Sequence, residues 1–111
     1  MKRISSKRAK ATQISTKVKP AVYDRDNGLC VVCGRPGYPN AHYIPRSAGG
    51  LGVEENIVTL CMECHDRFDF GDGETMAGIG DRIREYLMEH YPEWDEEKLV
   101  YRKYGGEIDG I

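Results

Sequence analysis

The sequence predicts a small α+β domain: two short strands joined by a loop, a helix directly after the second strand, and a helical C-terminal appendage. Three observations carry this. Two Cys-x-x-Cys pairs, Cys30/Cys33 and Cys61/Cys64, bracket 27 intervening residues. Two β-prone runs, "AHYI" and "NIVTL", lie between the pairs. Beyond them, Ile79, Ile83 and Leu87 recur at helical spacing.

At 111 residues there is room for one core, and a chain this short buries little enough surface that a staple is expected. The formal net charge of -2 conceals an asymmetry. Met1 to His65 hold 10 Lys and Arg against 5 Asp and Glu, a balance of +5; Asp66 to Ile111 hold 6 against 13, a balance of -7. A basic front half suits a polyanionic partner such as nucleic acid; a solvated tail and a solvated acidic helix face are the plainer alternative. The first twenty residues hold no apolar run of the kind a secretory signal needs, and no segment reaches membrane-span length. A cytoplasmic protein is expected, in which thiols stay reduced and paired cysteines bind metal more often than they form disulfides.

Residues 1–18 carry Lys2, Arg3, Lys7, Arg8, Lys10 and Lys17 with no acidic residue, which predicts a disordered basic arm. "KPAVYDRDNG" reads as a short helix, with Pro20 in its first turn and Gly28 as its stop. "CVVCG" is a tight knuckle and "RPGYPN" is turn chemistry. "AHYI" is the first strand, "PRSAGGLG" a flexible loop, "NIVTL" the second strand, and "CMECHDRF" the start of a helix. "IGDRIREYLMEHY" is a further helix ended by Pro92, with His90 a structural residue near its end. "WDEEKL" starts afresh, with Asp95 as cap and Trp94 and Leu99 at the staple positions. Three regions follow: an arm over 1–18, a stapled core over 19–72, and a helical extension over 73–111 packed on that core.

Two residues between cysteines let both sulfurs of a knuckle face one ion. Two knuckles complete a tetrahedral shell of four thiolates, Cys30, Cys33, Cys61 and Cys64, the form that suits structural zinc. A thiol redox pair or free buried cysteines are the alternatives. A full shell has no vacancy for His65, the next residue after Cys64. Structural zinc sites supply ~10–16 kcal/mol of apparent binding energy, enough to fix a small unit and aim what lies on it. The span between the knuckles exceeds the roughly 15–20 residues of an ordinary zinc ribbon, and the added stretch contains His42 and Asn56.

Together, "HYIPRSAGG", "ENIVTLC" and "CHDRF" resemble the HNH endonucleases of the zinc-bearing ββα-metal (His-Me finger) type, over about residues 20–70. The resemblance implies a metal-dependent DNA endonuclease that hydrolyses phosphodiester bonds, nicking or cutting double-stranded DNA. It implies His42 as the general base, Asn56 as the residue that orients the loop and that histidine, and His65 as ligand of one catalytic divalent cation, Mg2+, Mn2+, Ni2+ or Zn2+. Arg46 and Arg67 flank the expected cleft and are candidate phosphate contacts. Small chains of this kind resemble phage and prophage proteins that work near DNA packaging, so terminase-type packaging proteins are expected partners, in the bacterial host cytoplasm. One departure stands out. Many family members carry Asp or His, a second metal ligand, just before the base, and here that residue is Ala41. Asp66, Asp69 or Asn40 could replace that ligand, as could water and DNA phosphate. A one-residue slip that makes His42 a ligand and leaves Tyr43 as base is disfavoured, because Pro45 and Ser47 fit the gapless alignment. A non-catalytic zinc module binding DNA or protein is the main alternative reading, and a junction-resolving nuclease a further one.

Overall fold

A computed structural model describes residues 7–102 of the chain. Residues 1–6 and 103–111, the outer parts of the expected arm and of the expected extension, lie outside the described residues. Helix α1 covers Lys7–Thr12 and α2 covers Val18–Arg25. Strand β1, Tyr38–His42, pairs antiparallel with β2, Ile57–Leu60, in a two-stranded sheet. Helix α3, Met62–Phe70, follows β2 directly, and α4, Gly73–His90, lies beyond it. This is the expected α+β architecture, with a strand–loop–strand–helix unit at its centre.

Every residue of β2 is buried, because the sheet is only two strands wide and both its faces are covered. Ala41, Val58 and Leu60 join Ile79, Ile83 and Leu87 of α4 in one cluster, and Cys30, Cys61 and Cys64 belong to the same cluster. The apolar core therefore runs straight into the cysteine site. On the other side α2 packs on both strands. Its end is tied down by charge. The Asp26 carboxylate accepts from the Thr59 N–H at 2.9 Å and from the Tyr86 hydroxyl, and pairs with Arg25 at 2.7 Å. Arg25 in turn donates to the Ile57 carbonyl at 2.8 Å and lies over the rings of Tyr86 and Tyr91.

Four local expectations need correction. Residues 7–12 of the expected disordered arm form a helix, with Thr12 buried. Contacts outside the arm hold it: Gly52 N–H donates to the Ala11 carbonyl at 3.0 Å, and Arg8 donates to the carbonyls of Arg46 and Ser47 at 3.2 and 3.1 Å. The first strand begins at Tyr38 and stops at His42, rather than running over "AHYI". It stops there because, past the in-register bond from Tyr43 N–H to the Asn56 carbonyl, the Asn56 N–H turns back to the Val53 carbonyl and Ile44 N–H is taken by the Asn56 side chain. Pairing is irregular between Tyr38 and Ala41, around Pro39, which has no N–H to offer a ladder. The glycine-rich loop is a defined structure, a 3-10 turn at Arg46–Ala48 followed by a left-handed Gly49. Finally, "WDEEKL" makes a single 3-10 turn, Glu96–Leu99, instead of a second helix. The expected cap is nevertheless present, with Asp95 Oδ1 accepting from Glu97 N–H at 3.0 Å.

The expected helix over 79–91 is there, and it starts earlier, at Gly73, because the Asp72 carboxylate caps it by accepting from Thr75 N–H. Its buried residues are Ile79, Ile83 and Leu87. No described helix is long and apolar enough to cross a membrane.

Candidate metal centre and active site

The first knuckle follows the turn that ends α2, where Asn27 and Gly28 both adopt positive φ. The second knuckle is the start of α3, with Cys61 as its N-cap. Within each knuckle a backbone N–H points at a sulfur: Cys33 N–H to Cys30 Sγ and Cys64 N–H to Cys61 Sγ, both at 3.4 Å. All four sulfurs lie within 4.8 Å of one another, and Cys33 Sγ and Cys61 Sγ are 3.6 Å apart. A tetrahedral zinc with Zn–S of about 2.3 Å requires S···S of roughly 3.8 Å, so these positions fit the ion. Among the described residues it is the one group of three or more potential ligands gathered this closely.

The surroundings act in opposite directions on the two knuckles. Cys33 is lowered to about 6, first by the Arg35 backbone N–H and then by its guanidinium. At the second knuckle burial, and then the sulfurs of Cys61, Cys30 and Cys33 beside it, push the Cys64 thiol up, while the N-terminus of α3 adds positive potential there. Arg35 also pairs with Glu63, which accepts from Arg67 at 2.8 Å, so an ion-pair chain links the first knuckle to α3. Arg67 is thus an exposed member of that chain on α3, and Arg46 points at the N-terminal segment, with Nε 3.4 Å from Thr12 Oγ1.

His42 closes β1, opposite Ile57. It is half-buried, and its pKa is lowered chiefly by that burial and also by the charge of Arg46 and by His65 when protonated; an Nε2 contact of 2.8 Å to the Thr12 carbonyl opposes this. The imidazole is therefore neutral near pH 7. Strand alternation sends its neighbour Ala41 to the other face, where it is fully buried in the apolar cluster. A polar ligand at position 41 would have to enter that core.

Asn56 stands immediately before β2 and is fully buried. Its Oδ1 accepts from Ile44 N–H at 2.8 Å, while its Nδ2 donates to the carbonyls of Ile44 and Leu51 at 3.1 and 2.8 Å. One side chain therefore ties both ends of the intervening loop. The loop can close this tightly only over glycine, because a Cβ on Gly50 would lie 1.6 Å from the Ile44 carbonyl oxygen.

His65 lies in the first turn of α3, its N–H bonded to the Cys61 carbonyl at 2.9 Å. Its Nε2 is 3.4 Å from Asp69 Oδ2, one turn on. His65, Asp66 and Asp69 line one shallow cleft of about 480 Å³ with Met62, Glu63 and Phe70. Of the groups considered as substitutes for a ligand at position 41, Asp69 approaches His65 and Asp66 shares its cleft, while Asn40 is exposed on β1. The walls of this cleft come from α3 alone; His42 is linked to His65 through the effect of its charge. Thr12 carries no residue signature of this role, because its contact with His42 is made by a backbone carbonyl.

Residues 30–68 match the family model described as HNH endonuclease, a span that runs from the first knuckle through α3 and bears out the resemblance in the motifs. The chain is also 36% identical over 58 residues to the type IV methyl-directed restriction enzyme EcoKMcrA of Escherichia coli (strain K12). That match covers 43% of this chain and 21% of the relative, so the chain spans about a fifth of that enzyme's length.

Proposed function

We propose that this protein is a metal-dependent DNA endonuclease that hydrolyses phosphodiester bonds. The observation that carries the reading is the neutral, half-buried His42 under the influence of His65, on a unit whose loop is tied by Asn56 and whose ends meet at four cysteines. Phosphodiester hydrolysis needs a base that is unprotonated near neutrality and a cation beside the phosphate. His42 serves as the base. Asn56 holds the chain just after it by fixing Ile44, and so limits where the imidazole can sit. The four cysteines hold a structural zinc, which anchors the turn of α3 that carries His65.

His65 and Asp69 offer one nitrogen and one oxygen donor, a set suited to a divalent cation whose remaining positions are filled by water and phosphate. When bound, that cation supplies charge stabilisation at the scissile phosphate and leaving oxygen. Lys7, Lys10 and Arg46 are exposed, and the basic front half makes backbone phosphates the dominant contacts and sequence preference weak. A phage-type role beside packaging (terminase) proteins is the finer reading, suggested by the family resemblance and the acidic C-terminal half.

Nicking of supercoiled plasmid with Mg2+, Mn2+ or Ni2+, quenched by brief EDTA treatment, tests the proposal. His65→Ala should raise the metal concentration needed for half-maximal nicking while leaving the zinc stoichiometry at one. Nicking by wild type that is independent of added metal contradicts this assignment. The second reading, a non-catalytic zinc module that binds DNA, is favoured by Ala41. It predicts plasmid binding without nicking under every metal.

A further inference from the structure

We infer that the N-terminal segment around α1, outside the matched residues 30–68, is a built-in part of the site, and that the Thr12 carbonyl sets His42 with its proton on Nε2 and leaves Nδ1 as the basic atom. The inference rests on the nuclease reading only for its catalytic consequence. A carbonyl oxygen can only accept, so the nitrogen 2.8 Å from it must be the one that carries hydrogen. A neutral imidazole protonated at Nε2 keeps its lone pair on Nδ1. In the proposed hydrolysis the water proton goes to Nδ1 and the water oxygen bonds phosphorus. The bond from phosphorus to the deoxyribose oxygen then breaks, and that oxygen takes a proton from bulk water.

The carbonyl is held in place from several directions. Thr12 is 2% exposed, and its hydroxyl donates to the Arg8 carbonyl at 2.9 Å. Arg8 reaches across to the carbonyls of Arg46 and Ser47, and Arg46 Nε returns to Thr12 Oγ1. On the far side Gly52 N–H donates to the Ala11 carbonyl. Here the chains are in such close approach that a Cβ on Gly52 would lie 2.1 Å from the Gln13 carbonyl oxygen. The loop that follows His42 is therefore clamped to the segment that orients His42. A six-residue helix with no other large apolar anchor gains a fixed position this way.

Gly52→Ala is the test variant, since it wedges the 11–13 segment away without changing a charge or a proposed catalytic group. At saturating plasmid its nicking rate should fall on the order of 100-fold, the scale of a misplaced reacting group, with zinc content unchanged. The 15N spectrum of histidine-labelled protein should show His42 as the Nε2–H tautomer in wild type and as a mixture in Gly52→Ala. Deletion of residues 1–13 removes the carbonyl outright and should give the same loss of rate. Wild-type rate in either folded, zinc-loaded variant overturns the inference, as does an Nδ1–H tautomer in wild type. If wild type fails to nick under any metal, the nuclease reading falls, and the tautomer spectrum still decides whether the latch exists.

Discussion

Replacing Asn56 with alanine should loosen the whole loop after His42. The side chain is fully buried and makes three hydrogen bonds, all to backbone groups of Ile44 and Leu51. Alanine leaves one N–H and two carbonyls without that partner. Each unsatisfied buried polar group costs about 1–3 kcal/mol. Ile44 and Leu51 are only half-buried, so water can reach part of the loop and the low end applies, roughly 3 kcal/mol in all. For a domain of this size that corresponds to a fall in Tm of about 10–20 °C. Asn56→Asp keeps an acceptor for Ile44 N–H but turns a carboxylate oxygen towards two carbonyls, so it should recover little. Thermal unfolding of the zinc-loaded proteins by circular dichroism measures the loss, and amide exchange at Ile44 reports whether it is local. A fall in Tm of under 3 °C, with Ile44 still protected, would refute the argument that this side chain closes the loop.

Zinc removal by prolonged chelation should unfold the chain, because the ~10–16 kcal/mol of a structural site matches or exceeds the total stability of a small domain, about 5–15 kcal/mol; a native circular dichroism spectrum in the metal-free protein would contradict this. Arg25→Ala should cost about 3–5 kcal/mol by leaving the Asp26 carboxylate buried without its cation, read as a fall in the urea midpoint. Burial raises the Asp26 pKa, but hydrogen bonds from Arg25 and Tyr86 outweigh it and hold the carboxyl below its usual value. The stability this lends is present above the unfolded value of about 3.9 and lost as pH falls through the folded one, so wild type should lose more stability than Arg25→Ala on acidification. For His42 the folded pKa is depressed, so the base stays unprotonated below the ordinary value of about 6.5; the acid limb of the nicking profile should fall below that pH, and a limb at or above it would count against His42 as the base.

The parts of the fold that were legible in the sequence are those whose chemistry is local. Cys-x-x-Cys spacing is itself the geometry of a knuckle, and both knuckles meet as expected. The stop at Gly28, the run Ile79, Ile83, Leu87 and the Asp95 cap all follow from short-range rules, and all appear. The corrections arise where distant groups decide. β1 ends at His42 because the side chain of Asn56, fourteen residues on in the chain, takes the Ile44 N–H, and the Asn56 N–H turns back to Val53. The basic arm lacks apolar pattern and reads as disordered, yet the Ala11 carbonyl and Arg8 dock its described residues 7–12. Such main-chain contacts leave no residue signature. His42, Asn56 and His65 were singled out by order and spacing, and the structure puts them at the end of β1, just before β2 and in the first turn of α3. It also explains Ala41 sterically, since that side chain belongs to the core.

The most direct test of the central claim compares wild type with His42→Ala on supercoiled plasmid, both zinc-loaded and supplied with Mg2+, Mn2+ or Ni2+. The account predicts metal-dependent nicking by wild type that falls by about 100-fold or more in His42→Ala, the scale of a lost general base, with plasmid binding retained. Equal nicking by the two proteins would contradict it.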